Sequence, residues 1–168
     1  ELHSIDEIVY IINEAEKNNR PKPIVLVGAG TSLTSGIPLA DTIKSDILQN
    51  YNDKPIIKSL DKNVTYFEAM RCISPMERNE LFNSDFEKSK SNISSLFLAN
   101  LLKEEKIDYI LSVNFDDLLI RASAVLGLIP SFYDIANIRD FTTTNFPIGS
   151  IIYLHGFQYS SWLLNTQR

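Results

Sequence analysis

Apolar and polar positions alternate along this chain with two periods, and each period predicts a different kind of element. Ser4-Ile5-Asp6-Glu7 has the spacing of a capping box, and behind it Ile5, Ile8, Val9, Ile12 and Ala15 recur on one helical face. That helix is predicted to stop at Asn18-Asn19, ahead of Pro21 and Pro23. Ile24–Val27 is a short apolar, β-branched run, the pattern of a buried strand in a parallel sheet. A helix is then predicted from near Ile37-Pro38 to about Asn50, with proline in the first turn where no N–H is needed. Its positive end would face back toward the glycines that follow the strand. Further on, Asn92–Lys106 reads as an amphipathic helix and Tyr109–Val113 as a strand. Asp117–Leu126 reads as a helix that Gly127 ends, and Ser131–Asp134 and Ile151–Leu154 as strands.

Strands alternating with helices predict an α/β fold: a Rossmann-like parallel sheet flanked by helices. Residues 51–90 break the alternation. They contain Pro55, Pro75 and two helical fragments, Tyr66–Cys72 and Pro75–Phe82, and read as a small helical insertion lying over the site. In parallel sheets of this kind, ligands lie beyond the carboxyl ends of the strands. Three segments reach that edge here: Gly28–Ser32, Asn114–Asp116 and His155.

Composition narrows the function classes. The chain has 168 residues, enough for one domain that buries about two-thirds of its unfolded surface. Its net charge of −5 disfavours a nucleic-acid partner. The single cysteine, Cys72, excludes an internal disulfide and fits a reducing, cytoplasmic setting. The most apolar helical stretch, Ile93–Leu102, is short and interrupted by Ser94, Ser95 and Asn100, so no membrane span is expected. No basic-then-apolar leader pattern opens the sequence, and its polar end, Asn165-Thr166-Gln167-Arg168, reads as a cut within a longer protein.

The candidate chemistry sits at the three strand ends. Gly28-Ala29-Gly30 can bring backbone close to a ligand, and Thr31 and Ser32 offer N–H and O–H groups to an anion. A dehydrogenase fingerprint would need glycine at position 33, where Leu33 stands, and a P-loop would need a lysine that does not come before Lys44. Asn114 can donate and accept at once, holding a ribose hydroxyl or a water in one orientation, or it can simply serve a strand-end turn. Asp116 can cap the following helix, with Asp117 a solvated helix start. His155 is a base suited to neutral pH or a satisfied strand-end histidine, whereas His3 is solvated. Phe157, Tyr159 and Trp162 read as core or subunit contacts rather than cofactor stacking.

Taken in order, the segments resemble the sirtuin family. Gly28-Ala29-Gly30-Thr31-Ser32, followed by Ser35-Gly36-Ile37-Pro38, looks like the first sirtuin motif. Ser112-Val113-Asn114-Phe115-Asp116 looks like Thr-Gln-Asn-Ile-Asp, and Leu154-His155-Gly156 like Leu-His-Gly, in which the histidine is the family's base. The resemblance implies that NAD is the substrate, cleaved at the nicotinamide–ribose bond, with no metal in this segment. It implies contacts to NAD from Gly28, Ala29, Gly30, Thr31, Ser32, Pro38, Asn114, Asp116 and His155, with Asn114 and His155 catalytic.

The departures matter as much. Deacylating sirtuins follow Gly-Ile-Pro with Asp-Phe-Arg, where this chain has Leu39-Ala40-Asp41, and Val113 replaces the family glutamine. These changes resemble the divergent sirtuin-like domains of bacterial anti-phage systems. They imply an NAD glycohydrolase in which water is the nucleophile, with residues 1–168 as its NAD-binding catalytic domain. The implied partners are further domains of the same longer chain, other copies in a homo-oligomer and a phage-derived trigger. The alternatives are an NAD-dependent lysine deacylase and a non-catalytic sensor of NAD or ADP-ribose.

Overall fold

The computed structural model describes residues 3–61, 63–138 and 144–158. Within them, four strands form one parallel sheet: β1 (Ile24–Val27), β2 (Tyr109–Ser112), β3 (Phe132–Asp134) and β4 (Ser150–Tyr153). Their spatial order is β1-β2-β4-β3. Register pairs Val27 with Ser112 and Ser112 with Tyr153, so the carboxyl ends of the three longest strands are level. The α/β parallel sheet expected from the alternating pattern is therefore present, with helices against it.

The described residues also form seven α-helices. They are α1 (Ile5–Lys17), α2 (Ala40–Asn50), α3 (Pro55–Lys58), α4 (Tyr66–Arg71), α5 (Pro75–Lys88), α6 (Ile93–Lys103) and α7 (Leu118–Val125). Capping boxes open α1, α4, α5 and α6, each pairing an N-cap side chain with the residue three positions on. Gly127, at a φ of 70°, takes the left-handed position that ends α7, as expected.

Two cores hold these layers. One face of the sheet packs Val27, Ile110, Ile151 and Tyr153 against Leu102 of α6 and Leu119 of α7. A second core lies between α2 and the insertion, where Ile43, Ile47, Met70, Ile73, Phe82 and Phe86 meet. The insertion is thus a helical layer whose apolar side packs against α2.

Several sequence expectations need correction. The helix predicted from Ile37-Pro38 begins instead at Ala40. Residues Ala29–Ser35 form a 3₁₀ helix closed by Gly36 at a φ of 88°, and Pro38 keeps Ile37 away from helical angles. The element whose amino end lies at the glycines is this 3₁₀ helix, with Gly28 as its N-cap. β1 is buried on one face only: Val27 is buried, but Leu26 is 66% exposed. On α1 the face carrying Ile5, Ile8 and Val9 is exposed and only Ala15 is buried, because no described element covers it. Phe157 is buried and lies against Tyr153, with ring centroids 4.7 Å apart. Tyr159 and Trp162 lie outside the described residues.

Candidate nucleotide-binding site

Asn114 is the hub of the strand ends. It lies two residues beyond β2, its N–H donating to the Ser112 hydroxyl, and its side chain is buried. Its Nδ2 reaches the Gly28 carbonyl at 3.1 Å, Thr31 Oγ1 at 3.2 Å and Ser32 Oγ at 2.9 Å. The Asn114 amide therefore braces the 3₁₀ helix after β1 to the loop after β2. Its Oδ1 is buried and has no hydrogen-bond partner. A buried acceptor left in that state costs about 1–3 kcal/mol, so this atom is a candidate to receive a ligand's hydroxyl or a water.

The chain of donors continues inward. Ser32 Oγ accepts from Asn114 and donates to Asp116 Oδ2 at 2.7 Å. Asp116 Oδ1 accepts the Leu118 N–H in a two-residue turn ahead of α7, but the N-cap of that helix is Asp117 rather than Asp116 as expected. Burial pushes the Asp116 carboxyl above its ordinary range, opposed by the Ser32 and Leu118 hydrogen bonds and reinforced by the Asp117 charge. Asp117 is not solvated as expected. It is buried and paired with Arg121 one turn later, at 2.7 Å.

These groups border a cavity of about 140 Å³. Ala29, Ser32, Pro38, Asn114 and Asp116 form part of its wall. Tyr66, Phe82 and Phe86 of the insertion supply an aromatic side, and Ala40 and Ile43 of α2 an aliphatic one. A cavity of this size holds a single ring, since one of about 150 Å³ accepts benzene. Gly28, Gly30, Thr31 and His155 stand outside the wall. Neither Gly28 nor Gly30 has a positive φ. A Cβ at position 30 would meet nothing within 4 Å, so neither backbone angle nor packing within the described residues requires glycine there.

His155 is exposed. It follows β4 by the same two-residue offset that Asn114 has from β2, and Leu154 N–H still bonds the Ser112 carbonyl at 2.7 Å. The two residues thus leave neighbouring strands at the same level, the histidine toward solvent and the amide inside. The expected residues accordingly fall into three groups. Asn114, Ser32, Thr31 and Gly28 form one network, Ala29, Pro38 and Asp116 join it at the cavity, and Gly30 and His155 flank it.

Sequence reading missed three contributors. Asn92 both caps α6 and donates to the Thr31 carbonyl (2.6 Å) and Thr34 Oγ1 (2.8 Å), fixing the 3₁₀ helix from outside. Its N-cap role was visible in the Asn92–Ser95 spacing, but its second role was not. The Asp117–Arg121 pair was visible as an i, i+4 spacing. The aromatic wall from Phe82 and Phe86 carried no signal beyond apolar residues one helical turn apart.

A sheet whose level carboxyl ends hold this network defines a Rossmann-like α/β domain. No family model and no curated protein matches the chain. Among solved structures, the chain is similar to a sirtuin studied for the basis of its substrate affinity, at 20% identity and a TM-score of 0.45. That match covers 92% of this chain and 48% of the sirtuin. It is also similar to Sir2Tm bound to a propionylated peptide, at 25% identity and a TM-score of 0.38, covering 71% of this chain and 41% of that one. The chain thus spans about half the length of the structures it matches. Among the described residues, no helix is long and apolar enough to cross a membrane.

Proposed function

We propose that this chain is the NAD-cleaving domain of a longer protein, and that it hydrolyses NAD to nicotinamide and ADP-ribose. The observation that carries the reading is Asn114: a buried amide whose Nδ2 is fully engaged while Oδ1 waits, unpartnered, beside a ring-sized cavity. The cavity suits the nicotinamide end of the dinucleotide, with the aromatic wall against the ring. In this reading Asp116 accepts from the carboxamide, and Asn114 Oδ1 from a ribose hydroxyl or the attacking water.

In the reaction, the C1′–N bond breaks and nicotinamide departs with the bonding pair as a neutral molecule, so no general acid is required. Water then forms the new C1′–O bond and its proton passes to a base. His155, on the neighbouring strand end and open to solvent, is our candidate for that base. Ala40 supports water as the nucleophile, since it is the small side chain on the cavity wall where deacylating sirtuins carry the phenylalanine. Asp41, in place of the family arginine, points to solvent beside Lys44. The same departures suggest the biological setting, depletion of NAD by a bacterial anti-phage protein whose other domains sense the infection.

Turnover of NAD in heavy-oxygen water tests the assignment. One labelled oxygen at C1′ of ADP-ribose is expected for each nicotinamide released, with or without an acetyl-lysine peptide. Loss of NAD that requires the peptide would replace hydrolysis with deacylation. Thermal stabilisation by NAD without any product would make the domain a sensor.

A further inference from the structure

A second cavity, of about 250 Å³, backs onto the nucleotide cavity across Phe86, which lines both. Its other walls are Asn79, Asn83 and Glu87 of α5, Arg121 of α7 and Gln158 beyond β4. We propose that this cavity binds an uncharged, ring-shaped molecule bearing an amide-type N–H, such as an aromatic carboxamide or a nucleobase. Occupancy there would bear directly on the nucleotide site.

Charge, hydrogen bonding and size each point to that class. The Arg121 guanidinium is already committed: Nε to Asp117, Nη1 to the Ser89 carbonyl and Nη2 to the Phe86 carbonyl. With that cation engaged and Glu87 on the rim, an anion would meet a carboxylate and no available countercharge. Three carboxamides, from Asn79, Asn83 and Gln158, offer donors and acceptors to a neutral ligand instead. Gln158 is only 9% exposed, and its Oε1 is buried without a hydrogen-bond partner. Its backbone N–H is held by the Phe115 carbonyl at 2.8 Å, which fixes the residue at the cavity. A buried acceptor on a fixed backbone calls for an N–H or O–H donor from the ligand. Phe86 supplies an apolar surface for a ring, and the volume exceeds the benzene-sized limit by enough for a substituent.

Coupling to the nucleotide cavity follows from shared parts. Phe86 belongs to both walls, and Arg121 grips Asp117, the residue after Asp116. A ligand that orders Phe86 and Gln158 would hold the far side of the first cavity. This inference stands on the second cavity's own lining and is independent of whether NAD is hydrolysed next door.

Calorimetric titration of the full chain with nicotinamide, adenine and nicotinic acid tests it. At least one of the two neutral rings should bind, and nicotinic acid, the same ring with a carboxylate, should bind at least about tenfold more weakly. Asn83→Leu, on the exposed face of α5, should weaken binding by about threefold, and Gln158→Leu, which removes a buried acceptor, by about tenfold. Leu26→Ala, on the exposed face of β1 and lining neither cavity, should leave it within about twofold. Circular dichroism of Asn83→Leu checks the fold, so that variant decides the matter if Gln158→Leu does not fold. Failure of both neutral rings to bind overturns the inference, as does preference for the acid, or binding that is unchanged in folded Asn83→Leu.

Discussion

At the scale of single residues, Asn114 and Asp116 carry opposite electrostatic demands within one network. Asn114→Ala removes the donor that ties Gly28, Thr31 and Ser32 together, and should cost about 1–3 kcal/mol in urea denaturation. Asn114→Asp should cost more, since it sets a carboxylate against the Gly28 carbonyl in a buried site. Asp116 works the other way. Burial raises its folded pKa above the ordinary 3.8, so its contribution to stability is complete below that value and lost as pH rises through the folded one. Asp116→Asn should therefore lose less stability than wild type over that acid interval, as read from Tm against pH. The identity of these residues was legible in the sequence because three strand-end motifs stood in order. Their burial was not: Asp117 reads as a solvated helix start, and only the packing of Arg121 beneath it reveals a buried pair.

At the scale of elements, local signals placed most helices but not their ends. The helical fragment expected at Pro75–Phe82 is the start of α5, yet the helix runs on to Lys88 because Phe82 and Phe86 share one buried face, a tertiary cause. α2 starts three residues later than Ile37 because the 3₁₀ helix and left-handed Gly36 occupy the approach. The insertion is closed by Lys54, whose ammonium meets Glu77 at 2.6 Å. Lys54, with the Ser74 cap, holds the Glu77 carboxyl down from 4.5 to about 2. Stability from this group is present above pH 4.5 and lost as pH falls toward 2. Lys54→Met should flatten that acid limb, and helical circular dichroism between pH 5 and 2 would register the difference. Because α4 and α5 wall the first cavity, the proposed binding of NAD should weaken over the same interval.

At the scale of the whole molecule, the sheet is covered on one face and open on the other at β1. Val27→Ala should cost about 1.5–3 kcal/mol, and Leu26→Ala, one residue away on the exposed face, well under 1 kcal/mol. Equal costs would mean that Leu26 is covered in solution. The α/β architecture was legible from alternation alone, but the one-sided burial was not, since an apolar strand reads the same whether one face is covered or two. What the architecture achieves is to bring Asn114 and His155 out of adjacent strands at one level, with Asn114 against the glycine-capped 3₁₀ helix. Nicotinamide release from NAD, compared across wild type, Asn114→Ala and His155→Ala, bears most directly on that pairing. Both substitutions should cut release by on the order of a hundredfold while native-like circular dichroism persists. Release at the wild-type rate by both folded variants would contradict it.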